Sequence, residues 1–192
     1  LFKLGIPRAL NMYEEFPFWH TFFTECNIQV VLSSTSTYRN YEKGVHSVMS
    51  DNICFPAKLV HSHIYELQDK GVDRIVFPIV KKKSVEDNAA HNSFNCPIII
   101  GYPDVVNSAI ESEIPIDSPI ISFKDEKLLL KQLIRYMKDL GVSEKTVKKA
   151  HSKAVKAYSE FGLNLRKINE EAYEEAKKQN HLVIVLAGRP YH

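Results

Sequence analysis

The sequence has little cysteine, no long apolar run and no excess of charge of either sign. Three cysteines in 192 residues, Cys26, Cys54 and Cys96, are too few and too odd in number for a disulfide framework. They leave three readings open: reduced thiols, metal ligands or core residues. No run of about 18 apolar residues occurs, which excludes a helical membrane span in this stretch. With 25 Lys and Arg against 23 Asp and Glu, the formal net charge is +2, and nothing global calls for nucleic acid or an anionic membrane as partner. Leu1 to Pro7 reads as a strand running into a turn and lacks the profile of a signal peptide, so a cytoplasmic location is expected.

What is present is the balance of a packed globular chain: 44% hydrophobic, 25% charged and 10% aromatic residues exclude a disordered segment. Both ends look cut. The chain opens without methionine inside a strand-like segment and closes on an apolar strand, Leu182 to Ala187, followed by a turn. It reads as a fragment of a longer polypeptide.

Strand-like and helix-like segments alternate over the first 125 residues, the pattern of a mostly parallel sheet with helices on its faces. Short β-branched runs mark five strands: Lys3 to Ile6, Ile28 to Leu32, Asp73 to Val80, Pro97 to Gly101 and Pro119 to Ser122. Between the first two, Met12, Phe16, Trp19, Phe23 and Cys26 recur at helical spacing, so Cys26 closes a core face. Pro17 falls inside this helix and is expected to kink it or split off its first turn. Thr37 and its serine neighbours precede a helix from Tyr38 to Lys43, closed by Gly44. A further helix opens after Cys54, with Pro56 in its first turn and Val60, Ile64 and Leu67 on its apolar face.

Lys81 to Asn95 is polar and aperiodic, which predicts a long loop ending at the second cysteine; its lysines, Lys81 to Lys83, suit phosphate or plain solvent. Lys127 to Leu140 reads as one helix. Ser143 opens a longer one whose apolar stripe runs from Val147 to Ala176. The expected fold class is therefore α/β: a three-layer Rossmann-like domain over residues 1–125, a helical connector over 126–181, and over 182–192 the first strand of a second α/β lobe.

Chemistry is sparse. The first strand runs into Gly5-Ile-Pro-Arg-Ala-Leu10 with a single glycine where a dinucleotide cradle needs several, and no Walker A lysine motif occurs. Lys58 and His61 lie four and seven residues beyond Cys54 and share its helix face, but His61 sits about two turns away, too far for direct proton transfer in a Cys-His pair. Zinc lacks ligands: there is no C-x-x-C, and His61 with His63 is the wrong spacing for one face. Cys54 and Cys96, each followed closely by proline at a loop edge, suit thiolates that meet at the carboxyl ends of parallel strands in an iron–sulfur site, or two unrelated buried thiols. A helix N-terminus at Cys54 favours anions there.

Several ordered motifs, Gly5-Ile-Pro-Arg-Ala-Leu10 with Met12-Tyr13-Glu14 and Pro17-Phe18-Trp19, Cys54-Phe-Pro-Ala-Lys-Leu-Val-His61, Asn95-Cys96-Pro97 with Gly101-Tyr102-Pro103, and Ala187-Gly-Arg-Pro-Tyr-His192, resemble the CoA-substrate-specific enzyme activase proteins. These are related to 2-hydroxyacyl-CoA dehydratases and their activators. The resemblance covers nearly the whole chain and points to the uncharacterised segment that follows the ATPase domains. It implies part of an oxygen-sensitive iron–sulfur dehydratase or reductase system of anaerobic metabolism, with no activity expected of the piece alone. ATP would be hydrolysed only on the neighbouring activase domain, and a low-potential electron would pass through a [4Fe-4S] cluster to a CoA thioester or other substrate. Cys54 and Cys96 would be metal ligands, with a third ligand from the adjoining dehydratase-like domain of the same polypeptide. The family pattern places a further cysteine where this chain has Ile79 after Pro78. Arg8 and Asn11, after the first strand, resemble a motif facing the same crevice and, with Lys58 and His61, are the candidate substrate-binding residues for an acyl-CoA. Arg8 and Asn11 also suit shaping the turn and capping the first helix. The alternative reading is a non-redox ligand-binding or scaffold module with structural cysteines.

Overall fold

A computed structural model of the chain describes residues 2–83, 92–186 and 188. Strand β1, Lys3–Ile6, places Leu4 and Ile6 fully inside the core. It pairs in parallel with β2, Gln29–Leu32, on one side, with Lys3 opposite Gln29 and Ile6 opposite Leu32. On its other side lies β3, Arg74–Val76, and beyond that β5, Ile116–Asp117, giving the order β2-β1-β3-β5, all parallel.

A second parallel pair, β4 (Ile79–Lys82) with β6 (Ile120–Ser122), continues the third and fourth positions of that sheet. The Phe77 amide donates to the Asp117 carbonyl at 2.8 Å and Ile79 to the Pro119 carbonyl at 3.0 Å, so hydrogen bonding crosses the gap. Pro78 and Pro119 cause the interruption, because neither has an amide proton to give the ladder. The single strand expected from Asp73 to Val80 is thus two, and the short β5 was not anticipated.

Helices fill the crossovers. They form two packed groups: α1 (Met12–Glu25) with α6 (Glu144–Lys178) and α5 (Glu126–Asp139), and α3 (Phe55–Asp69) with α2 (Tyr38–Gly44) and α4 (Pro97–Ala109). Right-handed crossovers that run in opposite directions across the sheet, β1 to β2 one way and β2 to β3 then β5 the other, put these groups on opposite faces. The result is the three-layer α/β architecture expected from the sequence. Phe18, Trp19, Phe22 and Phe23 of α1 are fully buried, and Val147, Ala150 and Ala154 of α6 belong to the same core. Pro17 is accommodated within one continuous α1.

Residues 97–101, expected as a strand, form the first turn of α4. A short apolar run does not distinguish strand from helix. Here Pro97 sits in the first turn, and the inward residues Ile99, Tyr102, Pro103 and Val106 follow helical spacing. The expected loop from Lys81 to Asn95 is pinned at both ends: Lys83 N donates to the Ser93 carbonyl and Asn95 N to the Lys81 carbonyl, while Lys82 Nζ lies 4.3 Å over the Phe94 ring. The middle of that loop, 84–91, lies outside the described residues, as does most of the 187–192 motif. Leu182 to Leu186, read as a strand, carries no regular element and is exposed. The 35-residue α6 is about 52 Å long. Only its first third is buried; Phe161, Leu165 and Ile168 of the expected stripe are exposed.

Candidate functional site

In a parallel α/β sheet each crossover helix begins at the carboxyl edge, and the crevice there is where such folds bind ligands. Both cysteines stand at such helix starts. Cys54 is the N-cap of α3 with φ −61° and ψ 145°, and Cys96 is the N-cap of α4 with φ −56° and ψ 142°. The two helices therefore begin in the same way, each with proline in its first turn and neither with a side-chain cap hydrogen bond. Cys54 is exposed and Cys96 half-buried; both are free thiols. Cys26 is buried at the end of α1, where loss of solvent and then the Glu25 charge push its thiol up to about 11. That is a core position, as its place in the apolar stripe implied.

Lys58, one turn into α3, donates its Nζ to the Asp51 carbonyl at 2.8 Å and so ties the approach loop to the Cys54 helix. Arg8 follows β1: its guanidinium donates to Thr35 Oγ1 at 3.1 Å and lies 5.4 Å over the Tyr13 ring. Its backbone amide donates to Ser33 Oγ at 2.6 Å, closing the turn onto the end of β2. Asn11 occupies the N-cap position of α1, yet its side chain makes no cap bond. It turns inward and donates Nδ2 to Glu15 Oε2 at 3.1 Å, where Trp19 Nε1 also donates at 3.2 Å. Asn11 does not cap because its backbone is already helical, φ −61° and ψ −18°, and not extended as a capping residue requires. Burial raises Glu15 to about 7 against the two hydrogen bonds, from Trp19 and Asn11, that lower it.

His61 is fully buried between two partners. Its Nδ1 lies 2.7 Å from Ser47 Oγ and its Nε2 2.8 Å from Tyr102 Oη. Burial and then the charge of His46 lower its pKa to about 4, so the ring is neutral. His61 is thus held by the protein interior and has no free face for a ligand, whereas Arg8, Lys58, Cys54 and Cys96 all lie along the carboxyl edge. Ser47 and Glu15 were not singled out from sequence, and Tyr102 entered only within the Gly101-Tyr102-Pro103 motif, with no role of its own. Glu15 had a signal: it sits in the apolar stripe, four residues from Asn11 and four from Trp19.

A cavity of about 710 Å³ opens beside the start of α1, between Tyr13, the Glu14–Lys83 ion pair and the α6 residues Tyr158, Leu165 and Arg166. Among the described residues no three or more His, Cys, Asp or Glu side chains converge to hold a metal, and no helix is long and apolar enough to cross a membrane.

A family model described as the CoA enzyme activase uncharacterised domain matches residues 3–192. The chain belongs to that family. Among curated proteins and among solved structures, none matches it. In this CoA enzyme activase domain, then, the two edge thiols sit inside matched sequence, with Ile79 buried at the start of β4 between them in the chain.

Proposed function

We propose that this CoA enzyme activase domain contributes Cys54 and Cys96 as two thiolate ligands of an iron–sulfur cluster whose remaining ligands come from outside the described residues. The observation that carries this reading is the matched pair of cysteine N-caps on adjacent helices at one edge of a parallel sheet. A cluster with its thiolates is anionic, and two helix N-termini supply positive dipole ends and free amides to such a charge. The fit is in charge, chemistry and placement, and two ligands make part of a set. When bound, a [4Fe-4S] group supplies one-electron transfer at low potential. The chain's own residues hold the thiols at the helix starts, while Lys58 fixes the approach to Cys54. ATP hydrolysis on an adjoining domain and a CoA thioester as final acceptor complete the reading.

The test is anaerobic purification of the natural polypeptide, with iron and acid-labile sulfide measured alongside visible charge-transfer absorption. Cys54→Ala and Cys96→Ala are each expected to lose most of the iron. Full iron retention in both variants ends the proposal. A non-redox ligand-binding module is the second reading, favoured by the cavity beside α1. It predicts saturable binding of an acyl thioester that Leu165→Glu weakens and Cys54→Ala leaves alone.

A further inference from the structure

Helices α3 and α4 each carry one edge cysteine at the N-cap, and a buried hydrogen bond between His61 and Tyr102 joins them. Its direction follows from the far end of the string. Ser47 Oγ has one proton, and its 3.0 Å bond to the Gly44 carbonyl uses it, since a carbonyl only accepts. Ser47 Oγ therefore accepts from His61 Nδ1–H. The neutral ring is left with Nε2 as its acceptor, and Tyr102 O–H donates to it. Every group in the string, from Tyr102 through His61 and Ser47 to Gly44, is satisfied in one sense only.

We propose that the Tyr102–His61–Ser47 string is a positioning device: it sets the spacing and relative rotation of α3 and α4, and with them the placement of the Cys54 and Cys96 thiols. His61 lies seven residues beyond Cys54 and Tyr102 six beyond Cys96, so the pin sits about 10 Å and about 9 Å along the two helices from their cysteines. Near-equal heights keep the two N-termini level. Seven residues make nearly two full turns, so Cys54 shares the α3 face that meets α4. Apolar packing between helices tolerates sliding by a fraction of an ångström, whereas a buried hydrogen bond with no spare partner does not. At the opposite end Gln68 Nε2 donates to Ser112 Oγ at 2.6 Å, a second tie that lies away from the cysteines.

The string's meaning for a cluster rests on the proposed function, but the spacing of the thiols does not. The test places spin labels on Cys54 and Cys96 in the natural polypeptide with Cys26 and every other cysteine replaced by alanine, free of iron, and reads their separation by pulsed electron resonance. The parent is expected to give one narrow distance distribution. Tyr102→Phe, which removes only the hydroxyl, is expected to at least double its width or displace its centre, with helical circular dichroism retained. Gln68→Ala is expected to leave it unchanged. Should Tyr102→Phe not fold, Ser47→Ala serves in its place, with broadening again expected. An unchanged distribution in the folded variant overturns the proposal, even where iron binding is normal. Broadening in a protein that never binds iron sustains the positioning role and sinks the cluster instead.

Discussion

Asn11 Nδ2 donates to Glu15 Oε2 at 3.1 Å, while the remaining atoms of the same two groups, Asn11 Oδ1 and Glu15 Oε1, are buried with no hydrogen-bond partner among the described residues. Both are acceptors when the carboxyl is ionised. A proton on Glu15 Oε1 supplies a donor where two buried acceptors stand without one, consistent with burial raising this group to about 7.

The sign of the pH effect follows. The folded pKa lies above the ordinary value of 4.5, so the neutral acid's contribution is complete below about pH 4.5 and is lost as pH rises through about 7. The whole loss is on the order of 3 kcal/mol. Glu15→Gln keeps the volume and a permanent amide donor and removes the titration. Urea unfolding at about pH 5 and about pH 8 should show the variant gaining on the parent at the higher pH. Parallel stability profiles for the two proteins would refute a neutral Glu15.

Thiol reactivity should rank by position. Cys54 is exposed, Cys96 half-buried and Cys26 both buried and raised to about 11. Timed alkylation followed by peptide mass analysis is expected to modify Cys54 first, Cys96 next, and Cys26 only as the fold opens. Early labelling of Cys26 would show that its place in the core is wrong.

Gly44 is expected to be irreplaceable for a packing reason. A Cβ there would lie 2.7 Å from Ser62 Cα and 2.9 Å from the His61 carbonyl carbon, both backbone atoms that cannot swing aside. Gly44→Ala must push α2 off α3 and draw Ser47 away from His61. The expected cost is about 1–3 kcal/mol. Imidazole nitrogen resonances should report a loss of the fixed His61 tautomer; a stable variant with unchanged resonances would contradict this account.

Much of the frame was legible because it is written in local signals. Thr37, Asp125 and Ser143 each accept a cap bond from the amide three residues on, and the helices start where those residues stand. The run Ile98 to Ile100 misled because three β-branched residues carry no periodicity of their own; the deciding neighbours, Pro97 before and Tyr102 and Val106 after, make the segment helical. The expected topology put Cys54 at the carboxyl edge, but a strand at 97–101 would have left Cys96 at the amino edge; it is the helical start of α4 that brings Cys96 to the carboxyl edge. The string through His61 was not legible, since Ser47 and Tyr102 lie 14 and 41 residues away in sequence and meet it only through tertiary packing. The same holds for the tie between the sheet and α5.

That tie is Asp117. It receives Arg74 Nε at 2.9 Å and a guanidinium Nη at 2.7 Å, together with the Tyr136 hydroxyl at 2.8 Å. Strand β5 is two residues long, too short to hold its register by backbone bonds alone, and Tyr136 comes from α5. One carboxylate thus fastens β5 to β3 and α5 to both. Its charge, after burial, holds the Tyr136 phenol well above its ordinary range, so Tyr136 stays a donor at any physiological pH. Asp117→Asn keeps the volume but gives up the charge and one acceptor, leaving the half-buried guanidinium poorly matched. The expected loss is about 2 kcal/mol. Because Tyr136→Phe removes the other arm of the same site, the double variant should cost less than the sum of the singles, by a margin a denaturation cycle resolves. Strict additivity would mean that Tyr136 draws nothing from Asp117 and that the carboxylate is no junction between β5 and α5.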